Sequence, residues 1–147
     1  MDLSLTQYRT LAEFRYQLRR FLHFSEEQAR RHGLEPQQHQ LLLAIKGLPD
    51  ARRATIGELA ERLQLKHHSA VELVDRLVRG GYVTRRAGAE DRREVMVRLS
   101  PAGARVLRSL SLAHQQELET AAPDIGSALR ALRASSATRP RGRRKAV

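Results

Sequence analysis

The sequence predicts a mainly α protein with a small β-wing: a winged helix-turn-helix lobe flanked by N- and C-terminal helices. Three observations carry that expectation. Residues 55–79 read as two short amphipathic helices around a tight turn, residues 80–81 are a Gly-Gly stop, and residues 82–99 read as two strands separated by a charged loop. In such a layout a second helix enters the major groove of duplex DNA while a hairpin tip reaches the backbone beside it.

Each element has a local reason. Leu11, Phe14, Leu18 and Phe21 with Leu22 recur at spacings of three and four, one apolar stripe on a helix from Leu5 to about Arg31. Gly33 ends it, and Pro36 opens the next helix at a position where a missing N–H costs nothing. That second helix, to about Gly47, carries Leu41, Leu42, Leu43 and Ile45 around much of its circumference and is expected to be buried. Arg52 to Thr55 are expected to form a short strand. Thr55 with Glu58 has the spacing of a capping box, followed by Ile56, Leu59, Ala60 and Leu63 as an inward face. Gln64-Leu65-Lys66 is the turn, and the helix from about His67 to Arg79 turns Ala70, Leu73, Val74, Leu77 and Val78 inward. Tyr82 to Arg86 and Glu94 to Leu99 are the strands, the second alternating Val95, Val97 and Leu99 with polar or larger neighbours. Ser100 caps and Pro101 starts a helix to roughly Ala121, and Pro123-Asp124 is expected to start another, short one. From residue 135 onward disorder is expected.

The chemistry these elements can offer is polar and cationic. The N-terminal residues of the second helix of the pair, Lys66, His67, His68 and Ser69, would lie nearest base edges, with Val71 and Glu72 on the same outer face. Lysine and histidine donate to guanine or phosphate, and the valine methyls suit a thymine methyl. Glu72 accepts from a cytosine amino group or else pairs with a neighbouring cation. At the hairpin tip Arg92 and Arg93 suit the negative potential of a narrow minor groove, and Asp91 is expected to orient an arginine by a bidentate pair. A solvated hairpin tip would carry the same three residues; their position just after a helix-turn-helix favours the DNA reading.

The stretches ELAERLQL, SAVELVDRLVRGGYVTRR and EDRREVMVRLSPAG together resemble the multiple antibiotic resistance regulator (MarR) family of bacterial transcription factors. The specific motif spans Glu58 to Gly103, and the general layout covers nearly the whole chain. The resemblance implies a homodimer whose first and last helices intertwine, residues 1–34 and 101–134, with residues 35–100 as the DNA-binding lobe and 135–147 as a basic tail; the absence of cysteine fits the reducing cytoplasm expected for it. It implies a sequence-specific regulator of double-stranded DNA, most simply a repressor on a palindromic operator. By position, Asp91 and Arg93 match the family's wing acid and minor-groove arginine, and Ser69 matches a threonine or serine near the groove. Asp75 and Arg76 match the aspartate and arginine of its DRL motif, as structural or phosphate-facing residues. Lys66, His68 and Glu72 depart from the common pattern, which leaves the operator sequence open. Regulators of this kind release DNA when a small aromatic or anionic effector enters a crevice beside the dimer helices; Arg15, Tyr16, Arg19 and His39 are the candidate lining.

Composition narrows the alternatives. The chain of 147 residues carries a formal charge of +11, of which the last thirteen residues hold five cations and no acid. That balance favours polyanionic partners and keeps a low-specificity architectural DNA binder as the alternative, discriminated by deleting the tail. No cysteine is present, which excludes disulfides, thiolate metal sites and thiol redox switches. Of six histidines, His67 and His68 are adjacent and point to different faces of a helix. His114 with Glu117, joined by His23 or His39, is the sparse basis for a metal-responsive reading, so no resident metal or cofactor is expected. No P-loop, dinucleotide turn, HExxH or nucleophile elbow occurs, so an enzyme is not expected; the charged N-terminus reads as neither signal peptide nor membrane span.

Overall fold

A computed structural model describes residues 2–137. It separates into two compact units, one built from residues up to Phe24 and from Gln115 onward, the other from Ser25–His114. The order is α1 (Leu5–Arg31), α2 (Pro36–Lys46), α3 (Ile56–Arg62), α4 (His67–Arg79), β1 (Val83–Ala87), β2 (Val95–Leu99) and α5 (Pro101–Ala137). The mainly helical winged fold is present, with each expected helix and both wing strands up to Pro101. The unit that holds the winged module is wider than residues 35–100, because the end of α1 and the start of α5 fold with it.

The larger unit is organised by one apolar cluster. Leu34, Leu41, Leu42, Leu59, Ala70, Val74, Leu77, Val97 and Leu110 are essentially sealed from water, and burying each large side chain is worth roughly 1.5–3 kcal/mol. The stripe on α4 supplies Ala70, Leu73, Val74 and Leu77, and α3 supplies Ile56, Leu59 and Ala60. Leu43, expected inside, is 49% exposed: α2 buries a narrower stripe than its run of leucines suggests, with His39 completing its buried side.

Three helix ends set the chain direction by the same device. After α1, α3 and α4 a residue takes positive φ, Gly33 at 77°, Gln64 at 54° and Gly81 at 77°. Behind each, paired amides return to the helix: Leu34 and Gly33 to Ala29 and Arg30, Leu65 and Gln64 to Ala60 and Glu61, Tyr82 and Gly81 to Leu77 and Val78. This is the six-to-one, five-to-two closure of a Schellman motif, which normally recruits glycine. In the helix-turn-helix a glutamine fills the place, its Nε2 donating to the Glu61 carbonyl at 2.8 Å.

The hairpin pairs β1 and β2 antiparallel, with Val83 opposite Leu99 and Ala87 opposite Val95. The expected strand at Arg52 to Thr55 reduces to one bridge, Thr55 to Met96, and one bond from the Val97 amide to the Ala54 carbonyl. The hairpin base is locked to α5 by Ser100. Its Oγ donates to the Gly81 carbonyl at 2.6 Å and accepts from the Gly103 amide at 3.0 Å, while its own amide donates to the Tyr82 carbonyl at 3.0 Å. Gly103 therefore lies against the Tyr82 carbonyl with no room for a Cβ.

Two helix expectations are corrected. Thr55 Oγ1 does accept from the Glu58 amide at 3.2 Å, but the return half of the box is absent because Glu58 turns to Arg62 at 3.2 Å and Arg52 at 3.6 Å. The interaction of that type forms at α2, where Gln38 Oε1 accepts from the Glu35 amide at 2.8 Å. The separate helix at Pro123 does not exist: α5 runs unbroken from Pro101 to Ala137 with Pro123 inside it. Proline removes one backbone bond and crowds the preceding turn, a cost of about 3 kcal/mol. Ending the helix there would instead leave up to about four carbonyls and four amides without partners. Helix continues past residue 134 because Ser135 is tied to α1, through Gln7 Nε2 to its carbonyl at 3.3 Å and Thr10 Oγ1 to its hydroxyl at 3.2 Å. The basic residues of the expected tail, from 139 on, lie outside the described residues.

Candidate nucleic-acid interface

With Ala70, Leu73, Val74 and Leu77 buried, helical geometry sends His68, Glu72, Arg76 and Arg79 to the opposite side of α4, and all four are exposed. Lys66, the N-cap residue, and His67 at the first turn are exposed as well. Ser69 and Val71, at the flanks of this face, are half-buried. The outward surface of α4 thus offers cations and imidazoles at its start, one carboxylate in its middle and guanidinium groups at its end. Glu72 has no ion-pair or hydrogen-bond partner among the described residues, so its carboxylate is available to an incoming donor.

Asp75 takes a different part. It accepts from Arg85 Nη1 on β1 at 2.6 Å, which ties α4 to the first wing strand. This aspartate of the DRL stretch thus has a structural partner within the lobe, and Arg76 beside it stays exposed. Arg85 has no local sequence signal for that role, since its partner is ten residues away on another element. Arg53 behaves likewise: its Nη2 lies 2.8 Å from Glu94 Oε2, a charge contact that lacks hydrogen-bond directionality at that buried oxygen. Arg52, Arg53, Arg62 and Arg85 all face carboxylates, so the cationic groups left for a polyanion are fewer than the sequence count suggests.

The wing tip is built on Gly88 and Asp91. The Gly88 amide donates to the Glu94 carbonyl at 2.9 Å, closing the loop, and a Cβ at Gly88 would meet the Asp91 carbonyl at 2.5 Å. Asp91 Oδ1 accepts from the Arg93 amide at 2.9 Å and lies 3.4 Å from Arg93 Nε. The expected bidentate fork is replaced by one oxygen serving backbone and side chain together, because the residues are only two apart and the turn brings the amide closer. The Arg93 side chain is 93% exposed, and Arg92 beside it is exposed too. Asp91 therefore shapes the loop and restrains one guanidinium that otherwise projects into solvent.

The four residues expected to line an effector crevice divide between the units. Arg15, Tyr16 and Arg19 are exposed on the α1 segment of the first, where the Arg20 guanidinium sits 5.8 Å from the centre of the Tyr16 ring. His39 is buried in the second, 4% exposed, its ring 4.8 Å from that of His114. Burial first, then the proximity of His114 and His32, lowers its pKa from 6.5 to about 4. His39 is accordingly a neutral core residue rather than an exposed anion receptor. His114 is committed as well, Nδ1 to the Leu110 carbonyl at 2.7 Å and Nε2 to Ser25 Oγ at 2.8 Å. No group of three or more metal-ligating side chains occurs among the described residues.

A helix pair with a free outer face, a hairpin tip armed with guanidinium groups and a serine-locked hairpin base define a winged helix-turn-helix protein. Residues 32–94 match the model of the MarR family. No curated protein matches the chain. Solved structures do: AbsC, a MarR family transcriptional regulator from Streptomyces coelicolor, superposes with a TM-score of 0.72 at 18% identity, covering 85% of this chain and 84% of that one. A mutant of MepR from Staphylococcus aureus bound to an oligodeoxyribonucleotide gives 0.63 at 17%, covering 73% and 77%. FabT from Streptococcus pneumoniae in complex with DNA gives 0.53 at 21%, covering 59% of each chain. At these identities the likeness is one of fold. No helix among the described residues is long and apolar enough to cross a membrane.

Proposed function

We propose that this chain is a double-stranded DNA-binding transcriptional regulator that acts as a homodimer, in the simplest case as a repressor released from a palindromic operator by a small-molecule effector. The observation that carries the reading is the exposed face of α4, Lys66, His67, His68, Glu72 and Arg76, in one compact unit with the exposed Arg92 and Arg93 of the wing. A helix in the major groove reads donor and acceptor patterns, while tip arginines add charge-dependent affinity at the minor groove. Nucleic-acid complexes of MepR and FabT support the same use of the fold.

Dimerisation is supported by apolar side chains that water otherwise covers. In the first unit Leu3, Leu5, Tyr8, Leu11 and Leu22, with Leu118 and Leu129 of α5, are each 38–63% exposed. Exposed apolar side chains gathered in one unit are what an association face would bury. A two-fold dimer would set half-sites about 10 bp apart, one turn of duplex.

The test is selection of bound fragments from genomic DNA followed by titration of the recovered site. A symmetric site is the expected result. Arg93→Ala should weaken binding about tenfold or more and reduce the salt slope by about 1; an unchanged affinity and slope would refute the wing's part, and recovery of fragments without shared sequence would refute sequence-specific recognition.

A further inference from the structure

The winged lobe carries an open cleft of about 580 Å³ that the DNA-facing reading does not use. Its walls are the segment joining α2 to α3 and the edge of β2, with Ala104 of α5 at one end. The volume falls within the range of roughly 300–1,000 Å³ typical of small-molecule sites. The Arg52 to Thr55 segment is bonded to β2 at Ala54 and Thr55.

The lining has a definite chemistry. Ile45, Leu48 and Met96 give it apolar surface, and Lys46, Arg52, Arg53 and Arg98 set four cations against the single acid Asp50. Two of those cations are already engaged, Arg52 with Glu58 and Arg53 with Glu94. Lys46 and Arg98 have no ion-pair or hydrogen-bond partner among the described residues. The strand edge adds a backbone donor. The Val97 amide donates outward to Ala54, while Ser100 donates to Tyr82 on the hairpin side. Strand alternation then points the Leu99 amide toward the cleft edge, where it meets no backbone acceptor among the described residues.

We propose that this cleft binds a small organic anion with an apolar body, its acid group held by Lys46 and Arg98 and its hydrocarbon laid on Leu48 and Met96. An uncharged apolar molecule would leave both cations unpaired, and a bare anion would gain nothing from the apolar floor. Both features together select an amphiphilic acid. The site lies wholly within the winged lobe and involves neither α4 nor the wing tip, so it stands or falls independently of DNA recognition.

Titration of the full chain, followed by amide-resolved NMR, tests the assignment with three probes: hexanoate, hexanol as the uncharged match and acetate as the match without an apolar body. Hexanoate should produce saturable shifts confined to residues 46–54 and 96–99, with affinity about tenfold above either control. A double variant, Lys46→Gln with Arg98→Gln, should keep the dispersed spectrum of the folded lobe and lose the preference for acid over alcohol. Absence of saturable shifts in those segments, equal binding of hexanol and hexanoate, or a preference that survives the double variant would each overturn the proposal.

Discussion

The two compact units of this chain use apolar residues in opposite ways. In the winged lobe, Ser25–His114, leucines and valines from α2, α3, α4, both strands and the start of α5 converge on one sealed cluster. In the helical unit Ala128 is the sole apolar residue that reaches full burial among the described residues, while Leu5, Tyr8, Leu11 and Tyr16 stand 45–63% exposed. The lobe satisfies its own hydrophobic demand. The helical unit does not, and an unsatisfied demand of that kind is what association relieves. In the proposed dimer, stability and assembly are thus written into different parts of the sequence, and substitutions can separate them.

The most damaging change should fall in the lobe. Gly103→Ala places a Cβ against the Tyr82 carbonyl at the Ser100 lock, backbone against backbone, with no flexible group to yield. A loss on the order of 3 kcal/mol or more is expected in chemical denaturation; wild-type stability in that variant would mean the α5 start is not locked to the hairpin.

Acid should act on the lobe next. With its pKa lowered to about 4 in the folded protein from 6.5 unfolded, His39 binds its proton more readily in the unfolded chain. Its contribution is therefore complete above the unfolded value and is lost as pH falls through 6.5 toward 4. The loss attributable to His39 should reach about 2 kcal/mol near pH ~5. Comparing denaturation of the wild type and His39→Leu between neutral pH and that point isolates it, since the carboxylates are common to both; parallel pH slopes would remove His39 as the cause.

Leu11→Glu probes the other unit. Leu11 is 45% exposed, so the variant should retain a folded lobe and weaken self-association by about tenfold. Sedimentation read beside thermal unfolding distinguishes the outcomes, and an unaltered assembly would take Leu11 out of the proposed dimer face. The smallest effect is expected at Gly126, in α5, where an added Cβ meets only the flexible end of Arg130 at 3.2 Å. Gly126→Ala should stabilise by about 0.5–1 kcal/mol through helix propensity, and a destabilised variant would show that Arg130 cannot give way.

How far the sequence could be read follows the range of the interaction involved. Helix limits at Leu5 and Arg31 or His67 and Arg79 were legible because apolar spacing, proline and glycine act within a few residues. Glu58 shows the reverse: its spacing from Thr55 suits a capping box, yet two arginines compete for its carboxylate. Pro123 marks a boundary by the local rule alone, but the many backbone bonds that a break would sacrifice carry α5 past it. His39 looked like a polar residue available to a ligand, and nothing local reveals the His114 ring that covers it.

The sequence alone determined the order of elements, the polarity of each helix face and the cationic wing, since all three are properties of residues within one or two turns of each other. Only the tertiary structure decided which charges remain free. Arg85 and Asp75, Arg53 and Glu94, and Ser100 and Gly81 come from separate elements. Their pairing depends on where the packed core holds each backbone, a long-range constraint that no local pattern encodes.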